Sequence, residues 1–171
     1  LEASFRANGA LAAPSFWASV TTFAAIGTGG LGCVAAGLAA DRFGRTAVAA
    51  LALALSGSCA LLAGFTFAAA PTLTVALCLL WSTAAIADSA QFSAAMAELV
   101  EPEHVGTMLT IQTCAGFTLT LVSIHLLPLA ADAFGWPVAT AGLALGPAVG
   151  IWAMLALRRR PEARRLAQGR R

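Results

Sequence analysis

Residues 37–46, GLAADRFGRT, are the one stretch of this chain where charged residues crowd together between two long apolar runs. Asp41, Arg42 and Arg45 fall within five positions, and both flanks are dominated by alanine and leucine. A helix that crosses a bilayer needs about 20 predominantly apolar residues, and each flank is long enough to supply one. The pattern therefore predicts two membrane-spanning helices joined by a short charged turn at one membrane surface.

Composition supports a bilayer as the solvent of the whole chain. Of its 171 residues, 59% are hydrophobic and only 11% are charged. A water-soluble domain of this size needs far more polar surface than these charged side chains supply. The chain is therefore expected to be a membrane protein.

Apolar windows long enough to span a membrane occur along almost the entire chain. The predicted spans are 14–40, 46–69, 72–97, 104–130 and 137–157. Residues 1–13 are left as an extracytoplasmic loop and 158–171 as an arginine-rich tail. The predicted fold class is all-α, a polytopic membrane helix bundle, with no separate catalytic domain.

Arginine placement predicts the orientation, because cytoplasmic loops carry an excess of positive charge. Lysine is absent, and nine of the ten arginines follow either the first or the fifth span. Four spans separate these two groups, so both lie on one side of the membrane. We expect a multi-pass protein of the cell (inner) membrane with this side, including the C-terminus, facing the cytoplasm.

The charged turn has a general interpretation and a more specific one. In the general one, Gly37 and Gly44 allow a sharp reversal, Asp41 caps the next helix, and Arg42 and Arg45 hold the turn among lipid headgroups. More specifically, the pattern Gly-x-x-x-Asp-Arg-x-Gly-Arg resembles the signature loop of the major facilitator superfamily of secondary transporters. Order and loop length of all five spans are similar to that family.

The resemblance implies a twelve-helix transporter of which this chain supplies part. The third span lacks the arginine usual in the first half of the family, and the fourth lacks the glycine-proline pattern of its antiporters. The chain is therefore identified with helices eight to twelve, a fragment of the C-terminal half. The expected partners are a small-molecule substrate, the lipid bilayer and the missing N-terminal half of the same chain, and the turn is expected to act in conformational gating.

Asp88 is the one ionisable residue well inside a predicted span. A carboxylate inside a membrane is costly, so by default it indicates a functional site, here a proton carrier. Gln91 lies three positions later on the same helical face, with Ser89 and Ser93 beside it. The alternative is that Asp88 lies near the cytoplasmic end of the helix, hydrated or hydrogen-bonded to these serines.

The fourth predicted span is unusually polar and offers further candidates for a substrate or proton pathway. Thr113 shares a helical face with Thr110 and Thr120, although threonine hydroxyls can also bond back to their own helix. Gln112 requires a hydrogen-bond partner in lipid because its amide is expensive to bury alone. His125 lies towards the outer end, where it either contributes to coupling or reaches water.

These features predict secondary active transport of a small solute by alternating access, coupled to protons. No enzyme, cofactor, catalytic residue or metal site is expected: the four cysteines have no metal-ligand spacing, and the acidic cluster near Glu101 has a single histidine. The arginine-rich tail follows a span directly and does not predict nucleic-acid binding. The alternative is a non-transporting five-span protein with a packing or signalling role.

Overall fold

A computed structural model describes residues 1–8, 13–66 and 71–169, and every regular element in these ranges is helical. The α-helices are α1 (Glu2–Asn8), α2 (Pro14–Phe43), α3 (Arg45–Thr66), α4 (Pro71–Leu99), α5 (Val105–Phe134), α6 (Trp136–Leu143) and α7 (Leu145–Arg158). A 3₁₀ turn, Pro102–His104, precedes α5, and a 3₁₀ segment, Pro161–Gly169, follows α7. The all-α prediction is confirmed.

Five helical passages are long and apolar enough to cross a membrane. They are α2, α3, α4, the 3₁₀ turn with α5, and α6 with α7, and each contains one predicted span or nearly all of it. The end predicted at residue 69 lies outside the described residues. Residues 2–8, predicted as loop, form the short helix α1 instead.

Two glycines with positive φ end long helices and allow the chain to reverse. Gly44 (φ 92°) separates α2 from α3, and Gly135 (φ 84°) separates α5 from α6. Their N–H groups donate to the carbonyls of Ala40 and Ala131, which close the last helical turns. Side chains with a Cβ are strained at such φ values, so glycine is required at both turns.

The last predicted span is two helices rather than one. Pro147 lacks an N–H and its ring crowds the carbonyl four residues earlier, at Leu143, where α6 ends. The chain passes through a turn at Ala144, and α7 resumes the same direction.

Small residues bring the helix backbones close together. A Cβ added to Gly32 of α2 would lie 2.9 Å from the carbonyl oxygen of Thr83 in α4, and one added to Gly29 would collide with Ile86. On the other side of the bundle, Gly64 of α3 contacts the backbone of Pro137 in α6. The glycine-rich run of α2 (residues 27, 29, 30 and 32), together with Gly57 and Gly64 of α3, predicts close helix approach through small-residue packing. This prediction is confirmed at Gly29, Gly32 and Gly64, whereas Gly27 and Gly30 face open space.

Helix α5 lies at the edge of the bundle, where it packs against α4 and α6. Among its described residues only Ala131 is buried. Most of its threonines and leucines are consequently exposed in this chain.

The arginine content of the C-terminal tail predicts a solvated anchor at the membrane surface without a fold of its own, but the described part of the tail is folded against the bundle. Ala163 and Leu166, both 1% exposed, pack on Ala95 near the end of α4. Arg158, Arg159 and Arg160 are exposed just before this segment. One face of the tail is apolar and buries Leu166. The many arginines of the tail made this apolar face hard to recognise in the sequence.

Candidate functional site

A cavity of about 520 Å³ lies between α4 and α5. From α4 it is lined by Ser89, Phe92, Ser93 and Met96. From α5 it is lined by Gln112, Thr113, Gly116, Phe117 and Thr120. Its wall therefore combines hydroxyl and amide groups with apolar and aromatic side chains, and its volume falls in the range of small-molecule sites.

Gln112 joins the two helices that form the cavity. Its Nε2 donates to Ser93 Oγ across the helix interface at 3.1 Å. Its Oε1 is buried and has no hydrogen-bond partner among the described residues. The predicted need of this amide for a partner is thus met on the nitrogen only.

Most of the hydroxyls on α5 bond back to their own helix, as the alternative interpretation expected. Thr110, Thr118, Thr120 and Ser123 each donate to the carbonyl four residues earlier, at 2.8–2.9 Å. Thr113 and Thr120 nevertheless share the cavity wall, so the face predicted from their spacing exists. Such back-bonds leave the hydroxyl oxygen able to accept a further hydrogen bond.

Asp88 lies in α4 beside the cavity rather than on its wall. It is partly buried, and the Ser89 hydroxyl donates to its Oδ1 at 3.3 Å. The predicted serine contact therefore involves Ser89, while Ser93 accepts from Gln112 instead. Ser89, the next residue in the sequence and the hydrogen-bond donor to Asp88, lines the cavity.

Gln91 is turned away from the cavity and belongs to a second polar cluster. It is 2% exposed, and its Oε1 accepts from Arg45 Nη1 at 3.2 Å. Arg45 also makes a two-pronged ion pair with Glu98, with Nε to Oε2 at 3.1 Å. Three residues along a helix correspond to a rotation of about 60° relative to the starting face, which separates Gln91 from Asp88.

The tail completes this cluster, which we call the Arg45 cluster (Arg45, Gln91, Glu98 and the Ala167 N–H). The Ala167 N–H donates to Glu98 Oε2 at 2.9 Å. One carboxylate thus holds the start of α3, the end of α4 and the tail together. Charge-assisted hydrogen bonds of this kind are stronger than neutral ones.

The signature loop is arranged differently from the turn that the sequence predicted. Gly37 and Asp41 lie within α2, so Gly37 does not form the reversal and Asp41 does not occupy the position before α3. Gly44 alone makes the turn. Arg42 is exposed at the end of α2, whereas Arg45 points into the protein to reach Glu98.

His125 lies on an exposed face of α5 and is not part of the cavity. Its Nδ1 is 2.9 Å from the carbonyl oxygen of Leu121, one turn earlier on the same helix. The structure therefore brings together Gln112 and Thr113 at the cavity, with Asp88 beside it, but leaves Gln91 and His125 elsewhere.

Sequence reasoning missed the partners on neighbouring helices. Phe92, Met96 and Phe117 were not singled out because aromatic and methionine side chains are ordinary in apolar spans. Glu98 could have been paired with Arg45, since loop parity puts the end of the third span and the start of the second on one side. The tail contact had no comparable signal.

Comparisons of the chain with protein-family models, with curated proteins and with solved structures found no match.

Proposed function

We propose that the chain forms part of a multi-pass secondary transporter that moves a small solute by alternating access. The observation that carries this proposal is the polar-lined cavity between α4 and α5, within passages that are apolar enough to span a membrane. Polar groups inside a bilayer are costly and commonly mark a solute pathway. A protein that only packs in the membrane has no need of them.

The resemblance of residues 37–45 to the major facilitator superfamily agrees with this proposal. In a transporter of that kind the chain corresponds to helices eight to twelve, and the Arg45 cluster lies at the cytoplasmic ends of α3 and α4. The arginines at 42, 45 and 158–160 favour that orientation by the positive-inside rule.

Asp88 is the proposed proton carrier. Its carboxyl group adjoins the cavity through Ser89, so a change of its charge alters the field at the site. Protonation also removes the cost of moving a charge through a low-dielectric environment. Coupling of solute movement to protons follows from these two effects.

Accessibility of the cavity from the two sides of the membrane tests alternating access without knowledge of the solute. Thr113→Cys is introduced into the complete transporter of which this chain is proposed to form part, after its native cysteines, including the four of this chain, are replaced by alanine or serine. The protein is then reconstituted into vesicles. A membrane-impermeant maleimide is applied either outside or inside the vesicles. We expect labelling from both sides, because a transporter exposes its site alternately.

Thr118→Cys is the matched control, since Thr118 lies on the same helix but outside the cavity wall. Thr118 is exposed on the helix surface, and we expect a thiol there to contact lipid and to stay unlabelled from either side. Labelling of Thr113→Cys from one side only, or from neither, would favour the alternative of a non-transporting five-span protein.

A further inference from the structure

Helix α7 ends at a run of three arginines, Arg158, Arg159 and Arg160, which we call the arginine triplet. All three side chains are exposed, and none has an ion-pair or hydrogen-bond partner among the described residues. The N–H groups of Arg159 and Arg160 donate to carbonyls in the last turn of α7, at 3.2 and 2.9 Å. The backbone therefore presents three unpaired positive charges at a defined end of an apolar passage.

No described carboxylate pairs with the arginine triplet. Glu98, to which the tail docks, is occupied by Arg45 and by the Ala167 N–H. Glu162 is the one acidic residue after α7, against seven arginines in residues 158–171, and it is exposed. The positive charge at this end of α7 is thus available to an anion from outside the chain.

An apolar strip, formed by Val149, Trp152 and Leu155, leads along α7 to the triplet. All three side chains are exposed, Trp152 to 72%. Arg159 follows Leu155 by four positions and Trp152 by seven, a spacing that puts these residues on one helical face. The backbone at Arg159 keeps helical φ and ψ values, so this face continues to the charge. Trp152 lies about 10 Å from Arg159 along the helix axis.

A surface that joins an apolar strip to several arginines matches a phospholipid with a net negative charge. An acyl chain can cover the strip, and phosphate oxygens accept the paired hydrogen bonds that a guanidinium group donates. A soluble anion would leave the strip uncovered. A zwitterionic lipid would bring its own positive charge close to the arginines, which is less favourable.

We propose that the apolar strip and the arginine triplet form a binding site for an anionic phospholipid, with an acyl chain beside Trp152 and the phosphate at the arginines. The inference does not depend on transport, because it holds equally for a non-transporting membrane protein. It also goes beyond the orientation of the chain, since it assigns one lipid class to one face of one helix.

Trp152 serves as the reporter of this site, because brominated acyl chains quench tryptophan fluorescence only at short range. In the complete protein, every other tryptophan is replaced by phenylalanine, and the protein is placed in nanodiscs. Phosphatidylglycerol and phosphatidylcholine with the same brominated chains are each titrated against unbrominated phosphatidylcholine. We expect phosphatidylglycerol to bind beside Trp152 about tenfold more tightly than phosphatidylcholine.

Two matched variants separate a local site from the general charge of the protein surface. Arg159→Gln and Arg42→Gln each remove one exposed arginine, the first on the face of Trp152 and the second at the end of α2. Arg159→Gln should reduce the preference for phosphatidylglycerol about fivefold, whereas Arg42→Gln should leave it unchanged. Arg159→Lys keeps the charge and should retain most of the preference.

Equal quenching by the two lipids, or an equal loss of preference in Arg159→Gln and Arg42→Gln, overturns the proposed site. Absence of quenching by either lipid would mean that protein covers the strip, and it also overturns the site. Excess inorganic phosphate at constant ionic strength should not reverse quenching by phosphatidylglycerol. Reversal would assign the triplet to a soluble anion instead. None of these results affects the labelling of Thr113→Cys, so failure of the lipid site leaves the proposed function in place.

Discussion

Individual glycines differ sharply in what they contribute, although all of those in α2 look alike in the sequence. Gly32 lies against the Thr83 backbone, while Gly30, two positions earlier, faces open space. The glycine-rich run predicted close packing, but only the rotation of α2 against α4 decided which glycines contact the neighbour. This distinction gives a matched pair of substitutions.

Gly32→Ala should lower the free energy of unfolding by about 1–3 kcal/mol, because the new methyl group forces α2 away from α4. Gly30→Ala should be neutral or stabilising by up to about 1 kcal/mol, since alanine favours the helix and meets nothing there. Denaturation by SDS from mixed micelles, followed by circular dichroism, measures both. Equal effects of the two substitutions would contradict the α2–α4 contact.

Glu98 is the residue on which the Arg45 cluster depends. Glu98→Gln should destabilise the fold by about 1–3 kcal/mol, because it removes the charge that faces Arg45 and weakens the bond from the Ala167 N–H. Glu101→Gln, at an exposed position just after the end of α4, should have little effect. Thermal unfolding in detergent compares them, and a larger loss for Glu101→Gln would argue against the ion pair.

At the scale of elements, the tail segment Pro161–Gly169 is the clearest departure from expectation. Its arginines predicted a solvated anchor, whereas Leu166 is buried against the end of α4. One leucine and two alanines are too short a pattern for sequence reasoning to detect. The docking surface exists only where the ends of α4 and α7 come together.

Leu166→Ala should release this segment, because truncation of a buried leucine costs about 2–5 kcal/mol. Trypsin cleavage after Arg158 or Arg159 should then accelerate by about tenfold or more, since proteolysis follows the population of the open form. Glu162→Ala, at an exposed position in the same segment, is the control. Cleavage that is already complete in the unmodified chain, or equal in both variants, would contradict the docked tail.

At the scale of the whole molecule, coupling depends on how Asp88 sits relative to the cavity. Asp88→Asn should abolish the dependence of uptake on a proton gradient, because asparagine cannot carry a proton. In vesicles with the complete transporter, an inward gradient of about one pH unit should raise accumulation of the transported solute up to about tenfold for one coupled proton. Asp132→Asn is the control, because Asp132 is exposed near the C-terminal end of α5 and lies outside the cavity wall. It should keep this response.

Retention of the full gradient response by Asp88→Asn would remove proton coupling and leave uptake itself in place. Loss of the response in Asp132→Asn as well would point to a general effect on the fold. Uptake of the radiolabelled solute into vesicles, with and without the gradient, separates these cases.

The sequence by itself determined the helical class, the five apolar passages and the reversal at Gly44, because these follow from local composition and backbone freedom. It also indicated Gln112, since a lone amide in an apolar helix needs a partner wherever that helix lies. Only the tertiary structure decided that the partner is Ser93, that Gln91 joins Arg45 instead of Asp88, and that the tail binds Glu98. These outcomes depend on how each helix is rotated about its axis against its neighbours, and a chain rich in alanine and leucine on every face leaves that rotation undetermined.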